Sequence, residues 1–136
     1  MRYEKHPLAA AFLLLISVGT ASASSMSLEE QVWALATCTG RVSALATRQR
    51  ATHDPASAST TALQSSFDQL FEALLPATPD LGIAPARARG WRTEGWVEIG
   101  RLLRAGTQST DAAEQARTEA DMSRLIAICQ RLILPG

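Results

Sequence analysis

The sequence predicts an all-α protein, a small four-helix up-down-up-down bundle that follows an N-terminal signal peptide. Three observations carry this expectation. Apolar residues recur at spacings of three and four in four separate segments, the period of an amphipathic helix. Three of the four segments open on a capping residue and the fourth on a proline, as helix starts do. No run alternates apolar and polar residues with period two, as a half-buried strand would.

The first element is the leader. Arg2 and Lys5 form a short basic start, and Leu8 to Gly19 runs on without a charge. Ala21 and Ala23 then make the small-residue A-x-A pair that a signal peptidase accepts, which places cleavage after Ala23. The rival is a retained anchor, but a membrane-crossing helix needs about 20 apolar residues and this run is shorter. The expected domains are therefore residues 1–23, a cleavable signal peptide, and 24–136, a single helical domain without a stable membrane anchor after cleavage. The expected compartment is the periplasm.

Helix one is expected over 28–51. Ser27 and Glu30 have capping-box spacing, and Leu28, Val32, Leu35, Cys38, Val42 and Leu45 make one apolar stripe. Helix two is expected over 55–75, with Asp54 as N-cap, Pro55 at the first position, and Leu63, Phe67, Leu70, Phe71, Leu74 and Leu75 facing inward. Pro76, Pro79, Gly82 and Pro85 predict a linker in which no helix runs. Helix three is expected over 85–105, carrying Ala88, Trp91, Gly95, Trp96, Ile99, Leu102 and Leu103 inward and ending at Gly106. Helix four is expected over 111–134, starting at Asp111 with Glu114 and burying Met122, Leu125, Ile126, Cys129, Leu132 and Ile133. In an up-down-up-down bundle helices one and four are antiparallel neighbours.

Two cysteines in an oxidising compartment point to a disulfide. Helical rise brings Cys38 and Cys129 to matching heights within about one and a half turns, so the pair is expected to be bonded. The alternative is two separate buried thiols.

Charge excludes some function classes. The full chain is neutral, and losing Arg2, Lys5 and Glu4 with the leader leaves a net charge of about −1. Such a chain has no electrostatic reason to bind nucleic acid or an anionic membrane. His53 beside Asp54 is too small a set for a metal, and Asp54 is explained as a cap. The carboxylate pairs Glu29–Glu30 and Glu94–Glu98 read as solvated helix faces, and no nucleophile elbow is present. No catalytic residue, cofactor or metal site is assigned.

Two surfaces remain as candidates. Trp33 points away from the core stripe, with Thr37, Gly40 and Ala44 beside it, the shape of a partner-protein or homodimer face. The alternative is that helix two or helix four lies over Trp33. Trp91, Arg92 and Trp96 form the second candidate, a small-molecule cleft between two indoles, set against a plain core role with Gly95 allowing close helix approach. Arg92 falls inside the apolar arc and needs a partner, with Asp68 or Glu72, a helix C-terminal carbonyl or an anionic ligand as the choices; otherwise it snorkels out along the indoles. The functional expectation is a non-enzymatic, exported protein-interaction or envelope-associated module with an unknown protein partner or a second copy. A small-molecule binder is the alternative, and an enzyme comes third.

Overall fold

The computed structural model describes residues 26–134. The leader, the cleavage position and the first residues of the mature chain lie outside the described residues. Four α-helices follow in order: α1 (Leu28–Ala51), α2 (Ser57–Leu74), α3 (Pro85–Gln108) and α4 (Ala112–Ile133), with a 3-10 segment over Leu75–Leu81. The described residues contain no strand.

The caps follow from the local sequence. Ser27 accepts from the Glu30 amide at 3.2 Å while the Glu30 carboxylate accepts from the Ser27 amide at 2.6 Å, a complete capping box. That hydrogen bond holds the Glu30 carboxyl below its ordinary value of 4.5. At α4 the box has an extra member. Asp111 accepts from the Ala113 amide at 2.9 Å, and Glu114 accepts from the Ser109 hydroxyl, whose oxygen accepts from the Asp111 amide. α1 ends in a Schellman-type turn with His53 in the left-handed region at φ 54, the Asp54 amide reaching back to the Gln49 carbonyl. His53 therefore sits where the chain must reverse.

Three element expectations need correction. Asp54 accepts from the Ala56 amide and closes a turn ahead of the helix, so α2 begins at Ser57 and not at Pro55. The proline-rich linker does carry a helix, of the 3-10 kind. Pro76 stands at its start, where no amide hydrogen is needed, the Thr78 hydroxyl donates to the Leu75 carbonyl, and Gly82 stops it at φ 74. α3 continues through Gly106 to Gln108, because a single glycine weakens a helix without breaking it.

The larger departure concerns α1. Residues 36–44 are buried on every side, not along one stripe. α1 is the central helix, contacted by each of the other three, and its most extensive contact is with α3. The small residues of Ala36-Thr37-Cys38-Thr39-Gly40 let neighbours close in all round. Glu29 pairs with Arg87 near the starts of α1 and α3, and Arg41 with Glu98 further along, so these two helices pair in the same order. Arg50, late in α1, meets Thr61 and Gln64, early in α2.

Two apolar clusters result. One surrounds the cysteines with Val42, Ala44, Phe67, Ile99 and Ile126. The other joins Val32 and Ala36 to Phe71, Leu75, Ile83 and Ala88, with Leu74 and Trp91 at its edge. Leu28, Leu70 and Leu132, expected in the core, are 59%, 46% and 39% exposed.

A charge-free apolar groove as the candidate functional site

α2 and α4 both lie on α1, and their backbones do not approach each other closely, although Phe67 of α2 and Ile126 of α4 share the cluster around the cysteines. The gap between them is a groove. Leu28, Gln31, Val32 and Leu35 of α1 form its floor, Leu70 and Leu74 of α2 one wall, and Leu132 and Ile133 of α4 the other, with Leu81 closing an end. It encloses about 280 Å³. A second hollow of about 360 Å³ continues it through Ile133, between Leu63 and Ser66 of α2 and Ile126 and Gln130 of α4. No charged side chain lines either part. From Leu74 back to Ser59 the α2 wall extends about 22 Å at helical rise.

The exposed leucines have a common cause. α2 and α4 each carry more apolar residues than their packed faces bury. The final stretch of α4 has Leu125, Ile126, Ile128, Cys129, Leu132, Ile133 and Leu134, which covers most of the wheel. With α1 and α3 taking only part of that circumference, the surplus turns outward, and contiguous exposed apolar surface of this kind marks interaction sites. Sequence reading placed these leucines in the core; the excess apolar width of α4 was the signal for the groove.

The two cysteines are bonded to each other, Cys38 to Cys129, with Cα atoms 5.3 Å apart and both side chains buried. The bond ties the middle of α1 to α4 about one turn from the groove wall at Leu132 and Ile133.

The candidate partner face is not an open surface. Trp33 is 44% exposed, but Thr37, Gly40 and Ala44 are buried, and at Thr37 and Gly40 the covering element is α3 rather than helix two or four. A Cβ placed on Gly40 would overlap the Arg92 carbonyl oxygen, and one on Gly95 the Thr37 carbonyl oxygen. The small residues beside Trp33 are there to admit α3.

The candidate cleft is divided. Trp91 is half-buried against the second cluster with the Arg87 guanidinium 4.9 Å from its ring centre. Trp96, five residues on, faces another way and is 42% exposed. The two indoles point to different sides of α3, because five residues turn a helix by about 140°. Arg92 is committed to α2: its Nη2 donates to Asp68 at 2.9 Å, its Nη1 stands 3.8 Å from Glu72, and the guanidinium lies over Phe71. Trp96 and Arg92 line a shallower hollow with Gly40, Ser43, Gln64, Arg89 and Thr93.

Among the described residues no group of three or more His, Cys, Asp or Glu side chains is placed to hold a metal ion. Comparison of the chain with protein-family models, with curated proteins and with solved structures finds no match.

Proposed function

We propose that this chain is a non-enzymatic docking module of the cell envelope. It is exported on the leader, cleaved after Ala23 and active in the periplasm as an up-down-up-down bundle, and it receives an apolar helix of a partner protein between α2 and α4. The observation that carries this reading is the charge-free groove with Leu28, Leu70 and Leu132 standing exposed around it. Its lining of leucines, valine and isoleucine without a charge selects an apolar, uncharged face. This is the helix-in-groove mode, in which anchors spaced i, i+3, i+4 and i+7 enter a hydrophobic trough.

The test is binding of a fluorescein-labelled, uncharged 14-residue amphipathic peptide with leucines at that spacing, followed by fluorescence anisotropy. Leu70→Glu and Leu132→Glu each place a charge in the wall at an exposed site, where substitutions change stability by about 0.5 kcal/mol or less. Each is expected to weaken binding about tenfold or more, while Ile128→Glu, on exposed α4 surface outside the groove lining, leaves it unchanged. Equal binding by all four proteins would overturn the reading.

A second reading, a small-molecule binder, is supported at the hollow beside Trp96 alone, where the Ser43 hydroxyl is buried without a hydrogen-bond partner. Quenching of Trp96 emission by a bound compound, lost in Trp96→Phe, tests it.

A further inference from the structure

The four helices are not held together by the same kinds of contact. α1 and α3 are joined by Arg41–Glu98 and Glu29–Arg87. α1 and α2 share the Arg50 hydrogen bonds to Thr61 and Gln64. α2 and α3 share Arg92–Asp68. α4 is different. Its side-chain hydrogen bonds go to residues within itself or to the Ser109–Asp111 turn just before it, and its one ion pair, Arg124–Asp121, is internal. Among the described residues no hydrogen bond or ion pair joins α4 to another helix. Only Ile126 and Cys129 of α4 are fully buried.

The attachment is also uneven along the helix. Near its start α4 lies close to α3, with Thr118 beside Gly106 and Met122 beside Leu102 and Leu103. The last third, which carries the groove wall, meets α2 only through side chains of the shared cluster, with no close backbone approach. Its fastening is the Cys38–Cys129 bond, together with the packing of Leu125, Ile126 and Ile133.

We infer that the disulfide is the assembly switch of the groove: oxidation of Cys38 and Cys129 locks the α4 wall in place, and the reduced chain keeps α1, α2 and α3 packed while residues 125–134 come away from α1. In forming the bond the two thiols lose two protons and two electrons to a disulfide oxidant, whose own sulfur–sulfur bond becomes two thiols. The inference rests on the docking role proposed above. It adds that the trough cannot capture apolar helices before the chain reaches an oxidising compartment, and that a reduced chain is blind to its partner.

Hydrogen exchange on the exported protein, oxidised and then treated with a phosphine reductant, tests the switch. A Cys38→Ala/Cys129→Ala chain serves as a second reduced-state mimic. Amides of residues 125–134 are expected to exchange about tenfold faster or more without the bond, while those of residues 36–44 and of α3 change little. Peptide binding in the anisotropy assay is expected to fall in parallel. Unchanged exchange at 125–134 would overturn the inference, and so would equal acceleration in all four helices, which means the bond supports the whole fold and not one wall. Should the oxidised protein bind no peptide while exchange behaves as expected, the docking role falls and the selective fastening of α4 stands.

Discussion

Gly40 of α1 and Gly95 of α3 lie against each other's helix backbone. A Cβ on Gly40 would stand 2.7 Å from the Trp96 amide nitrogen as well as overlapping the Arg92 carbonyl, and a Cβ on Gly95 would stand 3.2 Å from the Arg41 amide nitrogen. The blocking atoms are backbone, which cannot rotate aside. The two glycines therefore set how closely α3 approaches the central helix, and that approach covers Thr37 and Gly40.

Gly40→Ala and Gly95→Ala are each expected to destabilise by about 1–3 kcal/mol, the range for overpacking a filled interior, despite alanine's better helix propensity. For a domain of this size that lowers Tm by roughly 5–20 °C. The double variant is expected to lose less than the sum, since helices already forced apart accommodate the second methyl. A thermal melt showing either single variant as stable as the parent would disprove the close approach.

The four helices were legible because each carries its own local signals. Ser27 with Glu30 and Asp111 with their following apolar residues mark starts, and the period-of-three-and-four pattern marks lengths. The disulfide was legible because the rise along two helices limits which heights can meet. The central position of α1 was not, since Thr37, Thr39 and Ser43 lie off the single apolar stripe that periodicity counts. Their burial depends on the absence of bulk, not on hydrophobicity, and a periodicity argument does not weigh bulk. The groove was missed for the converse reason. Leu28, Leu70 and Leu132 have the right period for a core, and only the arrangement of whole helices decides whether a leucine at that period has a neighbour to meet. The division of Trp91 from Trp96 was available from the helical angle alone, which the appeal of two nearby indoles overrode.

Reduction should lower thermal stability by less than the chain-entropy ceiling. The bond spans a sequence separation of 91, for which closing the loop in the unfolded chain is worth about 4–5 kcal/mol. That figure applies if the reduced native state stays as ordered as the oxidised one. If residues 125–134 regain freedom in the folded reduced chain, part of the entropy difference disappears. The expected loss, from urea melts with and without reductant, is about 1–3 kcal/mol. A loss at the full ceiling would mean that α4 stays docked without its bond.

The start of α1 should respond to acid. The Ser27 amide and hydroxyl hold the Glu30 carboxyl below 4.5, so the folded value is lower than the unfolded one. The sign follows: the stabilisation of the helix start is present above 4.5 and is lost as pH falls through the lower, folded value. NMR titration should place the Glu30 midpoint below 4.5, with the Ser27 amide losing protection over the same interval. Glu30→Gln should remove that dependence. A midpoint at or above 4.5 would mean that the box does not form.

Trp33→Ala separates a packing role from a docking role. The indole is 44% exposed, and Thr37 and Gly40 beside it are covered by α3. Removing a fully buried Trp costs about 3–5 kcal/mol, so a half-exposed one should cost about 1–2. Sedimentation of parent and variant should give the same mass at every concentration. Loss of self-association without loss of stability would restore Trp33 as an interface anchor.

Arg41 and Glu98 should respond unequally to substitution. Arg41 belongs to the wholly buried stretch of α1, with its side chain 11% exposed, and its Nε donates to Glu98 Oε2 at 2.7 Å. Glu98 is 41% exposed and keeps water on its far side. Deleting the carboxylate strands a guanidinium that solvent barely reaches. Deleting the guanidinium leaves a carboxylate that water still serves. Breaking a fully buried pair from one side costs about 3–5 kcal/mol, and partial access at Glu98 reduces that here to about 1–3 kcal/mol for Glu98→Ala. Arg41→Met keeps most of the apolar stem against α3 and removes the charge that needed a partner, so it should lie within about 1 kcal/mol of the parent. With the guanidinium gone, Glu98→Ala should cost almost nothing further, so the double variant should match Arg41→Met in urea denaturation. If Arg41→Met is instead the more damaging of the two, the pair contributes net stability to the α1–α3 contact, and the close approach of the two glycines is not sufficient to hold α3 in place.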